Sequence, residues 1–180
     1  TMLSDNAGEV LGELFAGYNN SHALYTDHQR GEVFMVSYRL RQVRGEHPVR
    51  LMRWDGYHDF EQWTVVDSDG QEIEIKQSVH ELIFTRDYIL LADTAFVAGT
   101  EMFMPWKNLK LPADKTVVYV IDRRDLKLDT KTVCAKKIII DKPCIHLIAE
   151  YENPADKITV YMLHTPATNT AEILRSDDRD

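Results

Sequence analysis

The chain has 180 residues, a length that fits one domain and is sufficient to bury a hydrophobic core. Hydrophobic residues make up 44% of it and charged residues 28%, as in an ordinary globular protein. The formal net charge is −8 and Lys and Arg form no basic stripe, which argues against a nucleic-acid partner.

Targeting and redox signals are sparse. The sequence has neither an apolar run long enough to span a bilayer nor a signal-peptide pattern, so a cytoplasmic location is expected. Cys134 and Cys144 are the two cysteines and form no CxxC motif, which favours a reducing compartment.

Short strands separated by turns follow one another along the chain. They are predicted at 31–41, 48–54, 62–66, 71–76, 80–85, 88–92, 116–122, 133–140, 145–152 and 157–164. The pair Asp69-Gly70 supplies the positive φ of a hairpin turn between 62–66 and 71–76. The alternation in 72–76 predicts one wet face, whereas the apolar run 116–122 predicts a strand buried on both faces. Weak helical periodicity occurs at 7–15.

Many short strands with frequent turns indicate an all-β sandwich, barrel or propeller. A propeller blade takes about 40–45 residues, so the chain would cover roughly four blades. The ends, Thr1-Met2 and 175–180, carry no recognisable cap or terminal element. We therefore expect an internal piece of a longer protein, with residues 1–180 forming one partial propeller domain without an internal boundary.

Three of the seven histidines, His22, His80 and His146, begin or lie within β-like segments. They are too far apart in sequence for a local metal loop, but one ligand per blade could reach a common axis. An imidazole among apolar residues, as at His146, needs a partner for each ring nitrogen. A metal can satisfy one nitrogen and a carboxylate or carbonyl the other. The alternative is that all three are ordinary surface or satisfied core residues, the interpretation that we apply to His28, His47, His58 and His164.

The three segments have a common resemblance. They read Asn20-Ser21-His22-Ala23 with Asp27 and Gly31-Glu32-Val33-Phe34 following, then His80 with Thr85-Arg86-Asp87-Tyr88, then Ile145-His146-Leu147-Ile148-Ala149-Glu150-Tyr151-Glu152. In this order and spacing they resemble the three histidine motifs of the carotenoid cleavage oxygenase family, of bacterial type. Ala23 stands where the family has Pro, and Ile145 and Ala149 stand where it has Phe and Asn.

The resemblance implies part of a seven-bladed propeller holding non-haem Fe(II) through His22, His80 and His146. The family's fourth histidine and its orienting glutamates are expected outside this chain, so the segment alone should be inactive. The implied reaction is cleavage of a conjugated carbon–carbon double bond of a carotenoid, apocarotenoid or stilbene-type substrate by O2. Two alternatives stay open: a propeller binding or scaffold module without metal, and an iron-dependent alkene isomerase of the same family.

An apolar substrate requires an apolar wall. Phe84, Phe96, Phe103 and Trp106 are the candidate wall residues, with ordinary core or loop packing as the alternative. The stretch Phe103-Met104-Pro105-Trp106 precedes Lys107 and Lys110, a pattern suited to peripheral membrane contact. The alternative there is a plain connection between blades.

Overall fold

A computed structural model of the protein describes residues 18–20, 25–39, 48–95 and 113–164, and across these ranges the fold is all-β. The strands are β1 Tyr18–Asn20, β2 Tyr25–Asp27, β3 Glu32–Arg39, β4 Arg50–Trp54, β5 Glu61–Val66, β6 Ser78–Phe84, β7 Tyr88–Thr94, β8 Thr116–Asp122, β9 Thr132–Ile140, β10 Cys144–Ala149 and β11 Val160–His164. Helical structure in these ranges is limited to 3₁₀ turns, and no helix there is long and apolar enough to cross a membrane.

The predicted strands are confirmed within two or three residues at most ends, with one difference. Residues 71–76 form no full strand, and Glu72 makes a single bridge to Val66. Ile73 and Ile75 nevertheless point into the core while Glu74 and Lys76 are exposed, as the alternation predicts. The predicted helix at 7–15 lies outside the described residues.

Two four-stranded antiparallel meanders form the main sheet. The first runs β2-β3-β4-β5, with β1 also pairing with β3, and the second runs β6-β7-β8-β9. They join where β5 and β9 pair in parallel through Thr64–Val66 and Thr132–Cys134. Strands β10 and β11 form a separate antiparallel pair. Each group is built from strands that follow one another in sequence.

Strands β7 and β8 of the second meander are buried on both faces. Ile89, Leu91 and Ile121 belong to a core cluster shared with Phe34, Leu51 and Trp63 of the first meander. On the other face, Leu90, Ala92 and Val118 pack with Cys144 and Leu147 of β10. Successive residues of β7 thus enter different cores, because strand side chains alternate between faces. The apolar run 116–122 has the two-sided burial predicted for it, since Tyr119 and Val118 enter opposite cores.

A buried arginine connects the two meanders. The Arg123 guanidinium lies 2.5 Å from Asp27 of β2 and 2.5 Å from Glu32 of β3, and its side chain is 2% exposed. It also donates to the Thr85 carbonyl at 3.0 Å, and it lies over the rings of Phe34 and Phe84, 5.7 Å and 5.8 Å from their centroids. The positive charge of Arg123 therefore faces two carboxylates, and its N–H groups donate to these carboxylates and to a backbone carbonyl, as burial of a charge requires.

Candidate metal centre

Strands β6 and β10 bring together two histidines that are 66 positions apart in the sequence. The imidazole centroids of His80 and His146 lie 5.0 Å apart, with the ring planes inclined by 52°. β10 packs beside β6, so the first strand of the second meander and the first strand of the β10–β11 pair supply one side chain each.

Both strands carry a bulge at this point. In β6, Val79 pairs with Asp93 and Glu81 with Ala92, so His80 is an extra residue. In β10, Cys144 pairs with His164 and His146 with Leu163, so Ile145 is extra. A bulge interrupts the strict alternation of side chains and re-aims its residues. It explains how the consecutive residues His80 and Glu81 both approach His146, which a regular strand would prevent.

Glu81 connects the two strands through both of its carboxylate oxygens. Oε1 lies 2.5 Å from Nδ1 of His146, and Oε2 accepts the Leu147 N–H at 3.0 Å. The His146 side chain is 46% exposed and that of Glu81 is 25% exposed, so an ion can reach this side of the cluster from solvent.

The donor set of His80, Glu81 and His146 suits a divalent transition metal. One ligand atom from each residue lies within 4.8 Å of the other two. Two ligands bonded to one ion at about 2.1 Å can be at most about 4.2 Å apart, so a small side-chain rotation brings the set into bonding range. Imidazole nitrogen favours Fe, Zn, Cu or Ni over Mg or Ca. The residues present therefore fit an iron centre but do not select iron among these metals.

Two neighbouring groups hold the backbone of the cluster. The Tyr25 phenol of β2 donates to the His80 carbonyl. Burial raises the pKa of Tyr25 to about 12, with a further contribution from the Glu81 charge, so the phenol stays protonated. The Cys144 thiol donates to the His146 carbonyl at 3.1 Å. Burial, followed by the Glu81 charge, raises the pKa of Cys144 to about 11, so this thiol is a neutral donor near pH 7.

A groove of about 460 Å³ runs beside Glu81, between β2, β6 and β10. Its walls include Tyr25, Leu82, Phe84, Leu147 and Tyr151. Apolar and aromatic walls with a few polar groups are typical of small-molecule sites. Phe84, a predicted wall residue, lines this groove and also packs on Phe34 with a centroid distance of 5.2 Å, so it belongs to both wall and core.

The other predicted site residues are placed as follows. Metal ligand His22 and wall residues Phe96, Phe103 and Trp106 lie outside the described residues, as does the predicted membrane-contact stretch 103–106. His58 is exposed and bonded to Asp55 at 2.6 Å, and His164 is exposed with Nδ1 2.9 Å from the Pro143 carbonyl. Neither approaches another histidine by a described contact, in agreement with the surface role predicted for them.

The sequence predicts no role for Glu81, because the glutamates that orient the family's histidines are expected outside this chain. The available signal was its position directly after His80. Regular alternation would place it on the opposite face, so only the bulge reveals its contact with His146.

Comparison with known proteins gives no family assignment. No protein-family model matches the chain, and neither does any curated protein or solved structure. The function of the chain is therefore inferred from the residues of the site.

Proposed function

We propose that His80 and His146 are two imidazole ligands of a non-haem Fe(II) centre in a dioxygenase that cleaves a conjugated carbon–carbon double bond with O2. The substrate class proposed is carotenoid, apocarotenoid or stilbene-type. The observation that carries the proposal is the convergence of two histidines from separate strands, both singled out by the sequence pattern, at a ring separation of 5.0 Å.

The chain's own residues would have three tasks in this reaction. Neutral imidazoles of His80 and His146 would hold the ion without neutralising its charge, which suits binding of dioxygen at open positions. Bound iron would supply the activation of O2 for alkene cleavage. The groove beside Glu81, with Leu82 and Phe84 in its wall, would orient an apolar chain and exclude water.

We also propose that the chain is part of a β-propeller. We take the two meanders as successive blades and the β10–β11 pair as the beginning of the next. The first strands of these groups, β2, β6 and β10, lie next to one another, as inner strands around an axis would. His22 precedes β2 in the sequence, so this arrangement would let each of three blades contribute one ligand.

Anaerobic calorimetric titration of the 180-residue chain with Fe(II) tests the centre. His80→Ala and His146→Ala should each weaken binding at least about tenfold, because loss of a mere supporting partner typically costs about 10–100-fold. His58→Ala is the matched control, since this exposed histidine lies in another loop, bonded to Asp55. Equal Fe(II) affinity in all four proteins would contradict the proposal.

One observation favours a binding or scaffold module without metal: His146 already has a carboxylate partner in Glu81. Iron content after purification under anaerobic conditions separates the two functions. If iron is present, ¹⁸O₂ labelling in the longest reading frame that contains this chain separates cleavage from alkene isomerisation. Cleavage places labelled oxygen in the carbonyl products, whereas isomerisation leaves the substrate's composition unchanged.

A further inference from the structure

The second half of β9 is paired on one side only. The strand pairs with β5 through residues 132–134 and with β8 through residues 135–140. The chain turns away from β9 directly after β5, because the Asp67 side chain accepts the N–H groups of Asp69 and Gln71 at 2.9 Å each. Within the part of the chain that the structure describes, no strand lies beside residues 135–140 on the side opposite β8. The backbone groups that point to that side therefore form an open sheet edge, with which another strand can pair.

The side chains along this edge are exposed on both faces of the sheet. Ile138 is 44% exposed and Ile139 is 59% exposed, and the two preceding lysines, Lys136 and Lys137, are exposed as well. Because successive side chains of a strand alternate between faces, Lys136 and Ile138 share one face and Lys137 and Ile139 share the other. Each face of the edge thus presents one positive charge followed by one apolar side chain.

The charge of the edge is opposite in sign to that of the chain, whose formal net charge is −8. Among the described residues, neither Lys136 nor Lys137 forms a salt bridge. A second copy of the chain is a poor partner, because pairing of two β9 edges would bring the lysines of both copies together. Carboxylates opposite the lysines and apolar side chains opposite the isoleucines would instead complement both faces.

We propose that residues 135–140 of β9 are a docking edge for an extended segment of a partner protein, in which a pair of apolar residues adjoins a pair of acidic residues. The segment adds one strand to the sheet, so that its backbone supplies affinity and its side chains supply specificity. Antiparallel addition is the more stable pairing per residue. It places the apolar pair first in the partner's sequence, opposite Ile139 and Ile138, and the acidic pair next, opposite Lys137 and Lys136. This inference is independent of the proposed iron centre.

Binding of short synthetic peptides to the 180-residue chain tests the edge. The matched probe is Thr-Val-Val-Glu-Glu-Thr with blocked ends and an attached dye, and its fluorescence polarisation reports binding. The control probe, Thr-Val-Glu-Val-Glu-Thr, has the same composition but puts both valines on one face and both glutamates on the other. The matched probe should bind at least about tenfold more tightly. N-methylation of its central residues should abolish binding, because it removes the N–H donors of the added strand. Equal affinity of the two probes, or binding that survives N-methylation, would overturn the proposal.

Charge reversal of the edge is the second test, at about 0.15 M salt, where charges farther apart than about 8 Å are largely screened. The double variant Lys136→Glu, Lys137→Glu should bind the matched probe at least about tenfold more weakly and should bind Thr-Val-Val-Lys-Lys-Thr more tightly than the parent chain does. The matched control is Lys127→Glu, Lys157→Glu, which changes the net charge equally at exposed positions outside β9. It should bind both probes as the parent chain does. An equal loss of affinity in the two double variants would contradict a role for the edge itself.

Hydrogen–deuterium exchange locates the bound strand. Saturation with the matched probe should slow amide exchange within residues 135–140, whereas protection confined to another strand would place the probe elsewhere and defeat the proposal. Sedimentation of the parent chain without peptide identifies a competing occupant. The chain should not dimerise through this edge, and a dimer that Lys136→Glu, Lys137→Glu dissociates would identify a second copy as the partner and overturn the assignment.

Discussion

At the scale of single residues, a buried carboxylate fixes the backbone that leads into the candidate metal centre. Asp93 of β7 accepts the backbone N–H groups of Lys76 at 2.8 Å, Gln77 at 2.8 Å and Ser78 at 3.0 Å. Ser78 begins β6, two positions before His80. The side chain of one residue therefore sets where the bulged strand starts.

The Asp93 carboxylate makes stability depend on pH. Burial raises its pKa to about 6, although the three backbone N–H donors act in the opposite direction. The unfolded chain should have a value of about 3.9, so the folded state binds more protons between these limits. Its stabilising contribution is present below about pH 4 and is lost as pH rises through about 6, by about 3 kcal/mol in total.

We therefore expect the unfolding free energy of Asp93→Asn to lack this decrease between about pH 4 and pH 6.5. Urea unfolding of both proteins across that range measures it, and the difference between their curves removes the effect of other titrating groups. Parallel curves would show that Asp93 does not titrate in this window.

At the scale of strands and turns, most of the fold is predictable from the sequence because it follows local periodicity. The run 116–122 corresponds to β8 residue for residue, and the alternation at 72–76 predicts its burial even though the segment makes only one bridge. The bulges at His80 and Ile145 were not predictable, since an extra residue is defined by its partner strand. Arg123 was missed for a similar reason, because its acidic partners lie more than 90 positions earlier.

The hairpin turn after β5 provides a test of a purely local prediction. Gly70 has φ +75°, and a Cβ built on it meets no atom within 4 Å. Gly70→Ala should therefore destabilise the protein through backbone strain and not through a clash, by about 1 kcal/mol. Urea unfolding measures the loss, and Ser68→Ala in the same turn is the control. A Gly70→Ala protein as stable as the control would contradict the left-handed conformation.

At the scale of the whole molecule, Arg123 joins segments from three parts of the chain. It contacts β2 and β3 of the first meander and the β6–β7 turn of the second. The Tyr151 hydroxyl, which follows β10, reaches the same Asp27 carboxylate at 3.4 Å. This network of Arg123, Asp27, Glu32 and Tyr151 connects the two meanders and the segment after β10. The first strands of these three groups, β2, β6 and β10, lie next to the candidate metal centre.

Arg123→Met should destabilise the fold strongly, because removing one partner of a buried ion pair leaves an uncompensated charge and costs about 3–5 kcal/mol. The adjacent Arg124 is the matched control, since its side chain is 69% exposed beside Asp122 and its replacement by Ala should change stability little. Urea unfolding at pH 7 compares them. Equal stability of the two variants would show that the buried network does not hold the layers together.

The central claim, that two imidazoles from separate strand groups share one metal, can be tested by X-ray absorption spectroscopy of the Fe(II)-loaded chain. The spectrum should show nitrogen or oxygen neighbours at about 2.0–2.2 Å and the outer-atom scattering of imidazole rings. His80→Ala and His146→Ala should each lose the contribution of one ring, while His58→Ala keeps the parent spectrum. Iron without imidazole scattering, or a parent spectrum in both site variants, would contradict the account.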